Sequence, residues 1–170
     1  NAAGYSFNST IAGIEQADAI LLVGVNPRHE ATLVNTRIRK TWLERKIPIA
    51  LIGEPIELTY PYHHAGASPA DLKKMIKDYA KSVKAERPMI IVGAGAFARE
   101  DGAAVQALVR EAAEELGAIR EDWNGYNVLH NAASRMAALE MGFAPAKTFD
   151  LAEMGLVYLL GVDNPETIDN

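Results

Sequence analysis

Apolar residues are spread along this chain in two alternating styles, short solid runs closed by Gly, Asn or Pro and longer stretches at helical spacing. Asp18-Ala-Ile-Leu-Leu-Val-Gly-Val-Asn26-Pro27 is the first solid run and predicts a strand buried on both faces that ends in a turn. From Glu30 to Trp42, Leu33, Val34, Ile38 and Trp42 recur at helical spacing with Arg37, Arg39 and Lys40 between them, which predicts a helix. Ile47 to Gly53 predicts a second buried strand, with Pro48 tolerable near its start, and Ile56 to Tyr60 a third, edge-like one.

Tyr60-Pro-Tyr-His-His-Ala-Gly-Ala-Ser-Pro69 reads as a loop, in which Ser68 and Pro69 have the chemistry of an N-cap and first helical position. The spacing predicts a helix from about Ala70 to Lys84, a buried strand from Pro88 to Val92 entering a glycine turn, and an alanine-rich helix from Asp101 to Leu116 stopped by Gly117. Asn124-Gly125 predicts a turn, Val128 to Glu140 a further helix ended by Gly142, and Leu156 to Gly161 a last buried strand. Strands alternating with helices in this way predict an α/β fold: a Rossmann-like open, mainly parallel sheet with helices on both faces and right-handed crossovers. Leu22-Val-Gly-Val-Asn-Pro27 is echoed by Leu160-Gly-Val-Asp-Asn-Pro165. If the second copy also feeds a helix, the parent protein continues past this chain, and we expect a fragment.

Composition narrows the classes of function. With 49% hydrophobic and 23% charged residues, the 170-residue chain is ordinary for a globular domain. A net charge of -5 offers no electrostatic footprint for nucleic acid. Ala19 to Val25 and Leu156 to Val162, the longest apolar runs, fall well short of the roughly 20 residues that cross a bilayer, so no membrane insertion is expected. The absence of cysteine excludes a thiolate-held iron–sulfur cluster, a disulfide or a Cys-type zinc site within this chain.

Candidate chemistry therefore rests on the turns. Open parallel sheets bind ligands at the carboxyl ends of their strands, where helix N-termini present free N–H groups. Gly24 to Arg28, Gly93 to Arg99 and Gly161 to Pro165 qualify. For each, a tight turn in which glycine serves backbone geometry is the favoured reading and phosphate binding the minority one. Gly93-Ala-Gly95 matches a dinucleotide fingerprint only with Ala98 as its third position, and no acidic residue closes a second strand about 20 residues on, so NAD binding is not expected. Neither GxxxxGK[ST] nor GxSxG occurs. Adjacent His63 and His64 lack a third ligand at helical spacing, and His130 reads as a helix residue rather than a base. Glu111, Glu114 and Glu115 form a solvated face, while Trp42, Tyr60 and Trp123 read as packing anchors.

Three stretches resemble one family. Asn8-Ser-Thr-Ile-Ala-Gly-Ile-Glu-Gln-Ala-Asp-Ala-Ile-Leu-Leu-Val-Gly-Val-Asn-Pro-Arg28, continuing to Val34-Asn-Thr-Arg-Ile-Arg-Lys40, is similar to the large iron–sulfur subunit of respiratory NADH:quinone oxidoreductase, complex I. So are Val92-Gly-Ala-Gly95 with Asp101-Gly-Ala-Ala-Val105, and Asn127-Val-Leu-His-Asn-Ala-Ala-Ser-Arg135, the most discriminating run. The resemblance covers nearly the whole chain and implies a molybdopterin-oxidoreductase-like α/β region over 1–170, truncated at both ends, with a sub-boundary near 142–155. It implies a structural and interaction domain of the peripheral arm, without catalytic residues or metal of its own. Gly24, Asn26, Pro27, Gly93 and Gly95 would be vestigial pterin-dinucleotide turns. The 4Fe-4S and 2Fe-2S clusters would sit elsewhere in the parent, the partners would be other peripheral-arm subunits, and the location would be the cytoplasmic or matrix side of the coupling membrane. A second reading is a pterin-dinucleotide-binding segment of an active molybdopterin oxidoreductase, with Arg28 and Arg99 placed to touch a pyrophosphate. Apolar faces exposed on a fragment would also favour a non-native dimer.

Overall fold

The computed structural model describes residues 2–82, 84–132 and 134–143, together with 155, 156 and 158. Its elements run α1 (Thr10–Gly13), β1 (Ala19–Val23), α2 (Pro27–Glu30), α3 (Thr32–Arg45), β2 (Ile49–Ile52), β3 (His63–Gly66), α4 (Pro69–Ser82), β4 (Pro88–Gly93), α5 (Gly102–Glu115), β5 (Tyr126–Leu129) and α6 (Arg135–Glu140), with single 3-10 turns between some of them. The five strands form one sheet in the order β3-β2-β1-β4-β5, and every neighbouring pair is parallel. The Rossmann-like α/β expectation is borne out.

Strand side chains alternate between faces, so each buried strand feeds two cores. Leu21, Val23, Ala50, Ile52, Ile90, Val92, Tyr126 and Val128 face α4 and α5, meeting Leu72, Ile76, Val105, Val109 and Ala112. Ile20, Leu22, Ile49, Leu51, Met89, Ile91 and Leu129 face α3, meeting Val34 and Ile38. Each large aliphatic side chain buried this way contributes roughly 1.5–3 kcal/mol. That two-sided burial is why β1, β2 and β4 read as unbroken apolar runs rather than as alternation.

Helix ends follow the cap chemistry read from the sequence. Ser68 caps α4, its hydroxyl accepting the Asp71 N–H at 3.2 Å. Gly117 (φ 72°) ends α5, and Ala118 N–H reaches back to the Ala113 carbonyl at 2.7 Å; Gly142 (φ 79°) follows α6, with Phe143 N–H on the Ala138 carbonyl at 2.8 Å. On α3, Arg37 and Lys40 both pair with Glu15, which ties the helix to the turn preceding β1.

Three expectations are corrected. Ile56 to Tyr60 is not a strand: Tyr60 is buried against the α3 core, Ile56 and Leu58 pack on it, and the Tyr62 hydroxyl donates to the Ile56 carbonyl at 2.6 Å. The edge strand lies instead at His63–Gly66, within the stretch read as a loop, because the β2 to β3 crossover is a strap with an apolar underside rather than a helix. The predicted helix from Val128 to Glu140 instead begins on the last two residues of β5 and ends on the six-residue α6. Tyr126 to Leu129 are all buried beside β4, and burial on both faces overrides the helical spacing of the longer run. His130 consequently follows a strand, and its Nε2 meets the Tyr5 carbonyl at 2.6 Å. The run Leu156 to Gly161 and the turn Gly161 to Pro165 lie outside the described residues, apart from Leu156 and Tyr158, which are exposed.

The outer edge of β5 is laced to the amino-terminal segment. Val128 N–H bonds the Ser6 carbonyl at 3.0 Å, Asn8 Nδ2 bonds the Tyr126 carbonyl at 2.6 Å, and the fully buried Asn127 accepts from Ser9 N–H at 2.9 Å. Such covering removes a free strand edge.

Candidate functional site

From β1 the chain steps to β2 and β3 on one side, and from β4 to β5 on the other, so the strand order reverses between β1 and β4. Crevices at the carboxyl ends of such strands are where open sheets take ligands. A cleft of about 200 Å³ opens here, bordered by Gly24, Gly53, Glu54, Ser68, Ala96 and Arg99 and floored by apolar side chains such as Leu72 and Val105.

Gly24 and Gly93 end the two central strands and touch one another. A Cβ on Gly93 would lie 2.4 Å from the Gly24 carbonyl oxygen, so no side chain fits although its φ of -72° is ordinary. Gly24 has φ 53°, and a Cβ there would come within 3.1 Å of Ala96. Close packing of the strand ends therefore accounts for Gly93, and the left-handed backbone for Gly24. Gly95 differs: it is exposed, its φ is not positive, and nothing lies within 4 Å of where its Cβ would be. Pro27 is buried at the first position of α2. Asn26 donates its backbone N–H to Glu30 Oε1 at 2.6 Å, while its own Oδ1 is buried without a partner. The cleft thus unites Gly24 and Arg99, whereas Asn26, Pro27, Gly93 and Gly95 do not line it.

Both cations near the turns are engaged. Arg28 donates to the Glu57 carbonyl at 3.2 Å and to its carboxylate at 3.1 Å. Arg99 forks onto Asp101 at 2.7 and 3.0 Å, and those hydrogen bonds hold the Asp101 carboxyl below its usual range. The N-terminus of α4 is also filled. Asp71 Oδ2 accepts from the Ser68 hydroxyl at 2.7 Å, from Ser68 N–H at 3.0 Å and from Ala67 N–H at 3.2 Å, which lowers its pKa. Gly66 makes room for it, since a Cβ there would fall 2.4 Å from the Asp71 side chain.

These residues do not fit a dinucleotide diphosphate as they stand. The cleft is smaller than the roughly 300–1,000 Å³ of small-molecule pockets. Its cation and its helix N-terminus already carry carboxylates from the same chain. Sequence reading missed Asp71, Glu57 and Asp101; the Ser68-Pro-Ala-Asp71 capping box was the legible signal, whereas the Glu57 contact spans 29 positions and had none.

The other candidates are dispersed. His64 Nε2 meets the Gly53 carbonyl at 2.8 Å, and His63 is exposed on β3. Among the described residues no three His, Asp or Glu side chains converge as a metal site needs. Glu111, Glu114 and Glu115 are exposed, with Glu114 paired to Arg110 at 3.2 Å. Trp123 is a packing anchor whose indole N–H donates to the Pro88 carbonyl at 2.7 Å, and Trp42 is overlain by the Lys46 ammonium.

A parallel sheet wound in both directions from a switch point, with helices on its two faces, defines the class of Rossmann-like α/β domains. Within that class, the family model for molybdopterin oxidoreductase matches residues 1–170, and the chain belongs to that family. It is 43% identical over 164 residues to the mitochondrial NADH-ubiquinone oxidoreductase 78 kDa subunit of Neurospora crassa, covering 94% of this chain and 22% of that one. It is 39% identical over 165 residues to the NADH dehydrogenase [ubiquinone] iron-sulfur protein 1 of Solanum tuberosum, covering 95% and 22%. With an NADH-quinone oxidoreductase subunit of Rickettsia conorii it shares 40% over 164 residues, covering 94% and 24%. The resemblance read from Asn8 to Arg135 is borne out. The chain spans less than a quarter of the length of these relatives.

Proposed function

We propose that this chain is a structural and interaction domain of the peripheral arm of an NADH:quinone oxidoreductase, whose parent assembly passes electrons from NADH to quinone. Identity of 43% across nearly the whole chain to a subunit so named carries this reading. The site geometry supports it: Gly93 makes room for the Gly24 carbonyl, Gly24 holds a left-handed turn, and the neighbouring cations serve Glu57 and Asp101. Gly24, Asn26, Pro27, Gly93 and Gly95 are then vestigial turns of the family's pterin-dinucleotide cradle.

One of the relatives is named an iron-sulfur protein, while this chain contains no cysteine, so the clusters of the parent are held by other parts of it. Among the described residues no helix is long and apolar enough to cross a membrane. Attachment through other peripheral-arm subunits, on the cytoplasmic or matrix side, follows from the same reading. Exposed Leu33, Met141 and Phe143 supply apolar surface for such contacts, or for self-association when the chain is isolated.

The second reading, a pterin-dinucleotide segment of an active oxidoreductase, is favoured by two observations: the open space at Gly95 and the unsatisfied Asn26 Oδ1. Metal analysis with pterin fluorescence on the anaerobically purified parent subunit separates them. Iron and sulfide without molybdenum, tungsten or pterin is the expected result. A stoichiometric pterin dinucleotide would overturn the proposal.

A further inference from the structure

Asn124-Gly125 is the only Asn-Gly pair in the 170 residues, and it stands at the entrance to β5. The fold needs both residues. A Cβ on Gly125 would lie 2.3 Å from the Pro88 carbonyl oxygen and 2.6 Å from the Trp123 indole nitrogen, so only glycine fits between them. Asn124 Oδ1 accepts the Tyr126 N–H at 3.2 Å and so starts the strand.

Chemically, this pair is the least durable dipeptide an asparagine can form. The Gly125 amide nitrogen, unshielded by a side chain, attacks Cγ of Asn124. Its proton passes to hydroxide, the C–N bond to Nδ2 breaks, and that nitrogen leaves as ammonia. Water then opens the resulting five-membered imide to aspartate or to isoaspartate, with no oxidant or reductant involved.

Here the attacking nitrogen is held away from that reaction. Gly125 N–H donates to the Ala118 carbonyl at 2.7 Å. The Gly125 carbonyl accepts from Ile90 N–H at 2.8 Å and from Asn127 Nδ2 at 3.0 Å. Asn124 itself forms an antiparallel bridge with Ile119. Rotating the Gly125 nitrogen onto Cγ requires several of these bonds to break together.

We propose that Asn124 is a latent deamidation site that the fold keeps closed, and that its conversion records opening of the 118–126 corner from β4. The record is permanent. Isoaspartate inserts a methylene into the backbone, so β5 no longer keeps the register that pairs Tyr126 with Ile90.

The test is peptide mapping by mass spectrometry of the 170-residue chain held in mildly alkaline buffer, with and without denaturing urea. Only the open fraction reacts, so conversion at Asn124 is expected to run at least about tenfold slower in native buffer than in urea. Equal rates in the two conditions would overturn the protection. Absence of conversion at this position in urea would overturn the reactivity. The variant Asn124→Gln, read in urea where folding is irrelevant, is expected to lose the fast conversion; its persistence would assign the reaction to another residue and sink the proposal.

Discussion

The strand ends at the carboxyl edge of the sheet and the turns that flank them use the same residue types for opposite ends. At the strand ends, Gly93 packs against the Gly24 carbonyl and Gly24 holds a left-handed backbone beside Ala96, so backbone geometry alone accounts for both. In the turns that flank them, two residues beyond Gly93, Gly95 meets nothing, and Asn26 keeps a buried oxygen without a partner. A glycine-rich turn is therefore not one signal. Part of it is required by the sheet whatever the domain does, and only the remainder is free to report on a ligand, present or lost.

Substitutions test that division. Gly93→Ala is expected to be the most damaging, by about 3 kcal/mol or more, because the new methyl meets backbone that cannot rotate away. Urea denaturation measures it, and a stable Gly93→Ala protein would mean that the strand ends are not packed as described. Gly24→Ala should cost less, about 1–2 kcal/mol, since its penalty is mainly the left-handed φ with a milder contact to Ala96.

Next comes Asp71, whose effect depends on pH. Its pKa is lowered by the Ser68 hydroxyl and two backbone N–H groups, so its contribution is complete above the usual carboxylate range and disappears as pH falls through the depressed value. The urea midpoint of Asp71→Asn should thus lie below that of the parent chain at neutral pH and converge on it in acid. A gap that stays constant with pH would refute the cap assignment.

The strap between β2 and β3 offers a change of opposite sign. Tyr60 is buried, its hydroxyl has no partner, and burial pushes its phenol pKa up. Tyr60→Phe is therefore expected to be neutral or to stabilise by up to about 1 kcal/mol in the same denaturation assay, and a clear loss would reveal a partner for the hydroxyl. Smallest of all, Gly95→Ala should stay within about 0.5 kcal/mol of the parent. A large cost there would show that Gly95, like Gly93, is held by packing.

Much of the fold was legible in the residues. The runs at β1, β2 and β4 are buried on both faces, and such strands need no alternation to be seen. The stops at Gly117 and Gly142 were visible too, because positive φ after a helix selects glycine locally. Less legible was β5: its last two residues fall inside a longer run of helical spacing, four residues carry too little local preference to outweigh it, and pairing with β4 decided the matter. For the same reason His63–Gly66 looked like a loop, since an exposed edge strand shows neither apolar alternation nor a solid run.

The candidate site divides along the same line. By itself the sequence determined the α/β class, the turns that end the central strands, the missing thiolates and the family, all of which rest on local pattern or on residue type. Only the tertiary structure decided that Gly93 faces Gly24, that Arg28 lies against Glu57 across 29 positions, and that Asp71 fills the helix end beside the cleft. Those facts depend on which distant segments the sheet order brings within a few ångströms, and no pattern of neighbours along the chain encodes that distance.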